Sequence, residues 1–177
     1  MTRHSFFTKR NARIVLWTLV VIQLVLIFSL SSQTASESGG LSAHAARVVA
    51  RIVTPGFDTL SVREQNHHIR QHQHLVRKTA HVCEYAMLAL FLTLALHRKP
   101  MWKGAAIAVS ASTLYAALDE IHQLGVPGRG ASFYDVIIDV CGACLGTLLA
   151  MICLRIFRKY ERKRKIEQDE KTTDCVG

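Results

Sequence analysis

The chain has 177 residues, of which half are apolar and a fifth are charged, and its formal net charge is +9. This length allows one domain, or one domain with a small appendage. The charges are too unevenly placed for a single soluble core, because no Lys, Arg, Asp or Glu occurs between Arg13 and Glu37. Three shorter charge-free runs follow, at 85–97, 104–118 and 140–154.

The basic residues first suggest a nucleic-acid-binding protein, since the net charge is high for a small chain. They do not form one stripe, however. Four precede the first apolar run, three lie between the second and third (Arg98, Lys99 and Lys103), and eight follow the fourth from Arg155 onward. The positive-inside rule produces this pattern in a chain that crosses a bilayer four times with both ends in the cytoplasm. We therefore expect no nucleic-acid partner.

Four transmembrane helices are predicted if the shorter runs include their polar neighbours. A bilayer core about 30 Å thick needs roughly 20 helical residues, and the shorter runs fall below that length. We expect spans at about 14–32, 77–97, 102–123 and 135–156. The predicted fold is an all-α membrane protein, a four-transmembrane-helix bundle of the plasma membrane with both termini cytoplasmic. A soluble helical bundle is the alternative, and the basic pattern argues against it.

The first apolar run also resembles a signal peptide, because basic residues precede it and a small-residue segment, 31–35, follows it. Its apolar stretch is long for the apolar region of a signal peptide, so we expect an uncleaved anchor. Cleavage would leave an odd number of spans and an external N-terminus. With the anchor retained, the chain divides into a basic cytoplasmic N-terminus (1–13), a transmembrane domain (14–156) and a charged cytoplasmic tail (157–177).

Residues 33–76 form an outer segment between the first two spans. Apolar residues recur at helical spacing over 41–52, before Thr54-Pro55-Gly56, and predict an amphipathic helix lying on the outer face. A second helix is predicted over 61–75, with Glu64 in a capping box. Histidines four residues apart there can bind a metal, but no other carboxylate accompanies them and we expect no metal site. These histidines are His67, His68, His72 and His74.

The cysteines offer a second candidate metal or redox site. Cys141 and Cys144 form a CxxC pair, which is typical of redox motifs or of half a metal site. No second CxxC occurs in the sequence, and Cys83 and Cys153 also lie in apolar stretches, whereas Cys175 lies in the polar tail. We interpret the cysteines of the apolar stretches as small buried hydrophobic residues. We expect neither a metal nor another cofactor.

Polar residues at the outer ends of the spans are predicted to face the bundle interior, because ionisable groups inside a membrane are unfavourable against lipid. Helical spacing gathers them on one face of each span, and Glu120 alone points elsewhere. The grouped residues are Arg77, Lys78, His81, Glu84 and Tyr85 on the second span, Ser112, Tyr115, Asp119, His122 and Gln123 on the third, and Asp135 and Asp139 on the fourth.

The fourth span also carries Gly142-x-x-x-Gly146, a spacing that allows close approach of another helix. The connection before this span contains Pro127-Gly128, which predicts a turn with positive φ at Gly128. Ser132 is predicted to cap the fourth helix. Arg129 is then held at the mouth of the bundle, near several carboxylates.

Three strings in these segments resemble the VanZ-like family of small membrane proteins. The likeness covers about 14–156, and Asp139 departs from it, since an Asn is expected there. The resemblance implies a multi-span protein of the bacterial envelope and a link to resistance against the glycopeptide antibiotic teicoplanin. The strings are RKTAHVCEY at 77–85, DEIHQ at 119–123 and PGR at 127–129 with Ser132 and Asp135, beside the Ser32-Gln33 pair after the first span.

Three functions remain open for the outer cluster. It can bind an anionic group of a lipid or cell-wall precursor, since bidentate arginines suit phosphates and carboxylates. It can be an acid-base enzyme acting on a lipid-linked substrate, because crowded buried acids titrate abnormally. It can also be purely structural, with charges that neutralise each other and fix helix register. Membrane lipids are partners in the first two cases.

The enzyme and binding hypotheses involve different sets of candidate residues. The candidate catalytic residues are Glu84, Asp119, Glu120, Asp135, Asp139, His81 and His122. The candidate ligand-binding residues are Arg77, Lys78, His81, Tyr85, Asp119, Glu120, Gln123, Arg129, Ser132, Asp135 and Asp139.

Overall fold

The computed structural model describes residues 3–97 and 100–174. These residues are all-α, as predicted, and form five α-helices and one short 3-10 helix. Predictions that involve Arg98, Lys99 and Cys175 lie outside the described residues. The helices are α1 (Arg3–Ser31), α2 (Ala35–Val53), the 3-10 helix (Phe57–Thr59), α3 (Val62–Ala95), α4 (Met101–Gln123) and α5 (Phe133–Asp174).

Two of the described helices are long and apolar enough to cross a membrane, judged by length and composition. They are Arg10–Ser31 within α1 and Phe133–Gln168 within α5. Helix α3 lies at the centre of the fold and contacts α1, α2, α4 and α5. The core shared by α1, α3 and α4 consists of Val20, Ile27, Tyr85, Leu88, Leu92, Ala108 and Ala116.

Helices α3 and α5 touch along the predicted glycine seam. A Cβ atom built on Gly146 would overlap the carbonyl group of Ala86, and one on Gly142 would overlap the carbonyl group of Val82. The two backbones can approach this closely because neither glycine carries a side chain. The prediction of a close helix contact at this spacing is confirmed, and the partner is α3.

Helix α3 differs from its prediction at one end. The Ser61 capping box forms as expected: the Glu64 carboxylate accepts hydrogen bonds from the hydroxyl and the N–H of Ser61, which hold the pKa of Glu64 below its usual value. The predicted end near residue 75 is wrong, because the helix continues to Ala95. No Gly or Pro interrupts it, so the outer helix and the second predicted span are one rod.

Helix α2 packs along the outer part of α3. It begins at Ala35, earlier than the amphipathic pattern suggested, because Thr34 and Glu37 form a second capping box. The contact with α3 has its own small core, formed by Ala46, Ala50 and Ile69 together with Phe57 of the 3-10 helix.

The predicted burial of the cysteines is wrong for those that the structure describes. Cys83, Cys141, Cys144 and Cys153 are free and exposed. They lie on the outward faces of α3 and α5, because smaller residues such as Gly142 occupy the inward face where the two backbones meet.

Candidate functional site

A polar cavity of about 110 Å³ lies at one end of the bundle. It is enclosed by α3, the end of α4, the connection between α4 and α5, and the start of α5. The structure thus brings the three sequence strings to one place. The lining residues are Arg77, Lys78, His81, Glu120, Gln123, Gly128, Arg129, Gly130, Asp135, Ile138 and Asp139.

A tight turn carries Arg129 to the cavity. The N–H of Arg129 donates to the carbonyl of Val126 over 3.1 Å, and Gly128 has φ of 76°. A residue with positive φ at the third position of the turn matches the type II pattern, which favours glycine there. The predicted turn is confirmed, and it fixes the backbone on which the Arg129 side chain stands.

The Arg129 guanidinium is only partly satisfied by the protein. Its Nη2 donates to the carbonyl of Leu30 over 3.3 Å, whereas its buried Nε has no hydrogen-bond partner. Burial lowers the pKa of Arg129 and the positive charge of Arg77 lowers it further, while the carboxylates of Asp119, Glu120 and Glu84 act in the opposite direction. Among the described residues neither Arg77 nor Arg129 forms a salt bridge. An arginine keeps its charge under these conditions, so two guanidinium cations without a paired carboxylate line one cavity.

Lys78 is different, because it has a carboxylate partner. Its Nζ lies 3.1 Å from Oδ1 of Asp135, and both side chains are about one-third exposed. A pair this exposed contributes at most about 1 kcal/mol to stability. The pair closes one side of the cavity and leaves the two arginines as the cations available to a ligand.

Glu120 does not point away from the cluster as its helical position suggested. Its Oε2 accepts a hydrogen bond from the N–H of Ser132 over 2.7 Å, and its side chain lines the cavity. The connection between α4 and α5 folds back over the end of α4, so the residue beside Asp119 meets the returning backbone. The Glu120 carboxylate therefore positions the segment that carries Arg129.

The backbone of Ser132 forms the first hydrogen bond of α5. Its carbonyl accepts from the N–H of Asp135 over 3.0 Å, while its own N–H is taken by Glu120. Ser132 thus occupies the predicted cap position, although no capping bond from its side chain occurs among the described residues. The carboxylate of Glu120 replaces the hydroxyl as the group that fixes the start of the helix.

His81 lies between two carboxylates at the floor of the cavity. Its Nδ1 is 3.9 Å from Oε2 of Glu84 and 3.9 Å from Oδ1 of Asp139. Asp139 is only 1% exposed, and its Oδ1 has no hydrogen-bond partner in the described part of the chain. The hydroxyl of Tyr85, a fully buried side chain, is unpaired as well. Tyr85 lines neither cavity, whereas His81 and Asp139 line the polar one. Buried polar atoms are normally paired, so His81 and Asp139 offer unpaired polar atoms to a ligand in this cavity.

Two predicted site residues of α4 lie outside the cavity. His122 faces α1, where its Nε2 is 3.1 Å from the hydroxyl of Ser32 and its ring packs on Phe28. Asp119 is buried behind the cavity wall and accepts a hydrogen bond from Gln123 over 3.2 Å. His122 therefore lines neither cavity, and a catalytic role for it stays a prediction.

A second cavity, of about 150 Å³, adjoins the first and was not predicted from the sequence. It lies between the end of α1, the helix α2 and the middle of α3, and it shares Arg77, His81 and Arg129 with the polar cavity. The small residues Ser38, Ser42 and Ala45 were the available signal, since they recur at helical spacing on α2. The apolar lining residues are Leu30, Leu41, Ala45, Val76 and Ala80.

The histidine-rich stretch of α3 does not converge on a common point. The ring Nδ1 of His72 bonds to the carbonyl of His68 over 2.8 Å. In the described part of the chain no group of three or more His, Cys, Asp or Glu side chains could hold a metal ion.

The chain matches the model of a known protein family. The family model described as VanZ/LLP1 matches residues 15–155, and that interval contains every residue that lines the two cavities. No curated protein matches the chain, and no solved structure matches it.

Proposed function

Because this chain belongs to the VanZ/LLP1 family, we propose that it is a VanZ-like integral membrane protein of the bacterial envelope whose outer cavity binds an anionic lipid or cell-wall group. One observation carries the proposal: Arg77 and Arg129 line one cavity, and neither has a salt-bridge partner among the described residues. A bound anion reduces their mutual repulsion beyond what the carboxylates of Asp119, Glu120 and Glu84 do for Arg129, and guanidinium groups bind phosphate or carboxylate with two parallel hydrogen bonds. The family resemblance links this binding to teicoplanin-type resistance.

The proposed membrane placement has four spans, at 14–32, 77–97, 102–123 and 135–156, with both termini in the cytoplasm. Many large apolar side chains face outward on the bundle, and a soluble protein rarely exposes such contiguous apolar surface. The polar residues instead line cavities at one end, as expected where lipid surrounds the bundle. Exposed apolar residues include Val21, Val25 and Phe28 on α1, Ile107 and Leu114 on α4, and Leu145 and Leu149 on α5.

Reporter fusions test this topology. A fusion after Arg129 should be active outside the cytoplasm, and a fusion after Lys99 should be active in the cytoplasm. The reason is that basic residues cluster before the first span, in the second connection and after Arg155. Paired alkaline phosphatase and green fluorescent protein fusions at both sites measure the two sides independently. A reversal at either site would contradict the four-span arrangement.

Retained lipids test the binding function. The protein purified in detergent should carry an anionic lipid or lipid-linked precursor that mass spectrometry detects. The Arg129→Ala variant should lose it while keeping its membrane insertion and yield, because Arg129 forms no salt bridge on which the fold depends. Arg70→Ala is the matched control, since Arg70 is an exposed cation of α3 that lines neither cavity. Identical lipids in all three samples would count against the proposal.

An acid-base enzyme is the second candidate, and the position of His81 favours it. A histidine between two carboxylates can pass a proton to or from a bound lipid-linked substrate. The Glu120→Gln variant separates the candidates, because it removes an acid and keeps the side-chain shape. A binding protein should retain the same lipid in Glu120→Gln. An enzyme should convert its co-purified lipid over time, and that conversion should be lost in Glu120→Gln.

A purely structural cluster makes a different prediction. The contacts of Lys78 with Asp135 and of Glu120 with Ser132 do join neighbouring helices. If the cluster served only this purpose, substitutions throughout it would lower the amount of folded protein. In that case Arg129→Ala would reduce abundance without changing the lipids carried by each folded molecule.

A further inference from the structure

The two cavities are chemically unlike, although they share a wall. The first is lined mostly by charged and polar side chains. The second has an apolar part formed by Leu30, Leu41, Ala45, Val76 and Ala80, beside the polar side chains of Gln33, Ser38, Ser42 and Glu84. The shared side chains of Arg77, His81 and Arg129 face both spaces. A ligand held by the arginines can therefore occupy a polar and an apolar chamber at once.

The apolar chamber is the right size for a hydrocarbon segment. Its volume is about 150 Å³, and an apolar cavity of about that volume takes up a benzene-sized molecule in an engineered protein. A few methylene groups occupy a similar space. A small hydrated anion gains little from the apolar part of this lining, which offers it no hydrogen bonds.

Helix α2 forms the outer wall of the chamber and carries apolar side chains on its exposed side. Leu41 lines the chamber and is 60% exposed, and Val48 and Ile52 are exposed further along the same helix. An amphipathic helix with exposed apolar residues lies at a membrane interface. The chamber thus opens beside the surface at which lipid chains would be found.

We infer that the ligand is a membrane amphiphile, whose anionic head group binds Arg77 and Arg129 while the first part of its hydrocarbon chain fills the apolar chamber under α2. The inference rests on the proposed function, since it requires the arginines to bind an anion. It adds the place of the hydrocarbon chain, so that a phosphate-bearing or carboxylate-bearing lipid binds better than the free anion.

A series of short alkyl phosphates tests the inference on the full-length protein in amphipol. Binding of inorganic phosphate, butyl phosphate, hexyl phosphate and octyl phosphate is measured by calorimetry. Each buried methylene should tighten binding by a factor of about four. The gain should level off once the chamber is full, whereas unspecific partition into amphipol would continue with every added methylene.

Two substitutions place a large side chain in the apolar chamber. Ala45→Phe, from α2, and Ala80→Phe, from α3, should each abolish the dependence of affinity on chain length. Val48→Phe is the matched control, because Val48 is exposed on α2 and lines neither of the two cavities. It should show the same chain-length dependence as the unmodified protein.

The outcomes distinguish the site for the hydrocarbon chain from the site for the anionic head group. If inorganic phosphate and hexyl phosphate bind equally well, the chain site is refuted and the anion site stands. If chain-length dependence persists in both filled variants, the chain lies elsewhere and the inference is again refuted. If no phosphate binds at all, the proposed function fails, and the inference fails with it.

Discussion

Gly146→Leu should prevent the chain from reaching a folded, monodisperse state, and Gly146→Ala should already lower its thermal stability strongly. A Cβ atom at Gly146 would overlap the carbonyl of Ala86, which belongs to the backbone of α3 and cannot move aside as a flexible side chain can. Overpacking a tight contact typically costs about 1 to 3 kcal/mol, and we expect the upper end of that range or more for alanine. Size-exclusion chromatography in detergent and a melting curve measure both effects.

Gly40→Ala is the matched control for this prediction. Gly40 also lies inside a helix, but nothing lies within 4 Å of the position of its Cβ. Alanine is the better helix former by roughly 0.5 to 1 kcal/mol, so the control should leave stability unchanged or raise it. If Gly146→Ala were as stable as Gly40→Ala, then α3 and α5 would not touch at this point and the central contact of the fold would be wrong.

The parts of the fold that could be predicted depend on local geometry. The Gly142 and Gly146 seam follows from the absence of two side chains at one helical face, and the turn at Gly128 follows from the backbone that Pro127 and Gly128 prefer. The capping box at Ser61 is equally local, because its partners are three residues apart. In these cases the type and spacing of the residues are sufficient to predict the contact that they form.

The parts that could not be predicted depend on how distant segments meet. The surroundings of Glu120 are set by the connection that folds back to Ser132, and helical periodicity on α4 contains no information about that return. His122 has the spacing of a cluster residue, yet it contacts Ser32, directly after α1. Periodicity assigns a residue to a helix face, but several neighbours can lie against that face.

The apolar chamber was missed for a related reason. The sequence predicts α2 as an amphipathic helix and α3 as two separate helices. If α3 were divided in this way, no continuous helix would lie opposite α2 to form the other wall of the chamber. Because α3 continues without a break to Ala95, its outer half supports α2, and Val76 and Ala80 lie opposite Ala45. One continuous helix therefore connects the outer segment with the polar cavity.

Removing both cavity arginines should have the largest effect on binding. The double variant Arg77→Gln/Arg129→Gln should lose at least about 100-fold in affinity for hexyl phosphate, because truncating a buried hydrogen-bonded charge typically costs about 2 to 5 kcal/mol. Arg129→Gln alone should account for most of the loss, since the Arg129 side chain is part-buried whereas Arg77 is exposed. Calorimetry on the full-length protein in amphipol measures all three affinities.

The same variants form a cycle that tests whether the two arginines act on one ligand. If both guanidiniums contact the same head group, the free-energy losses of the single variants should not add to the loss of the double variant. The control Arg47→Gln/Arg70→Gln removes the same total charge from exposed positions on α2 and α3. Neither residue lines a cavity that holds the paired arginines, and salt screens exposed charges, so the control should leave affinity nearly unchanged. An equal loss in both double variants would show that net charge, rather than the paired arginines, attracts the ligand.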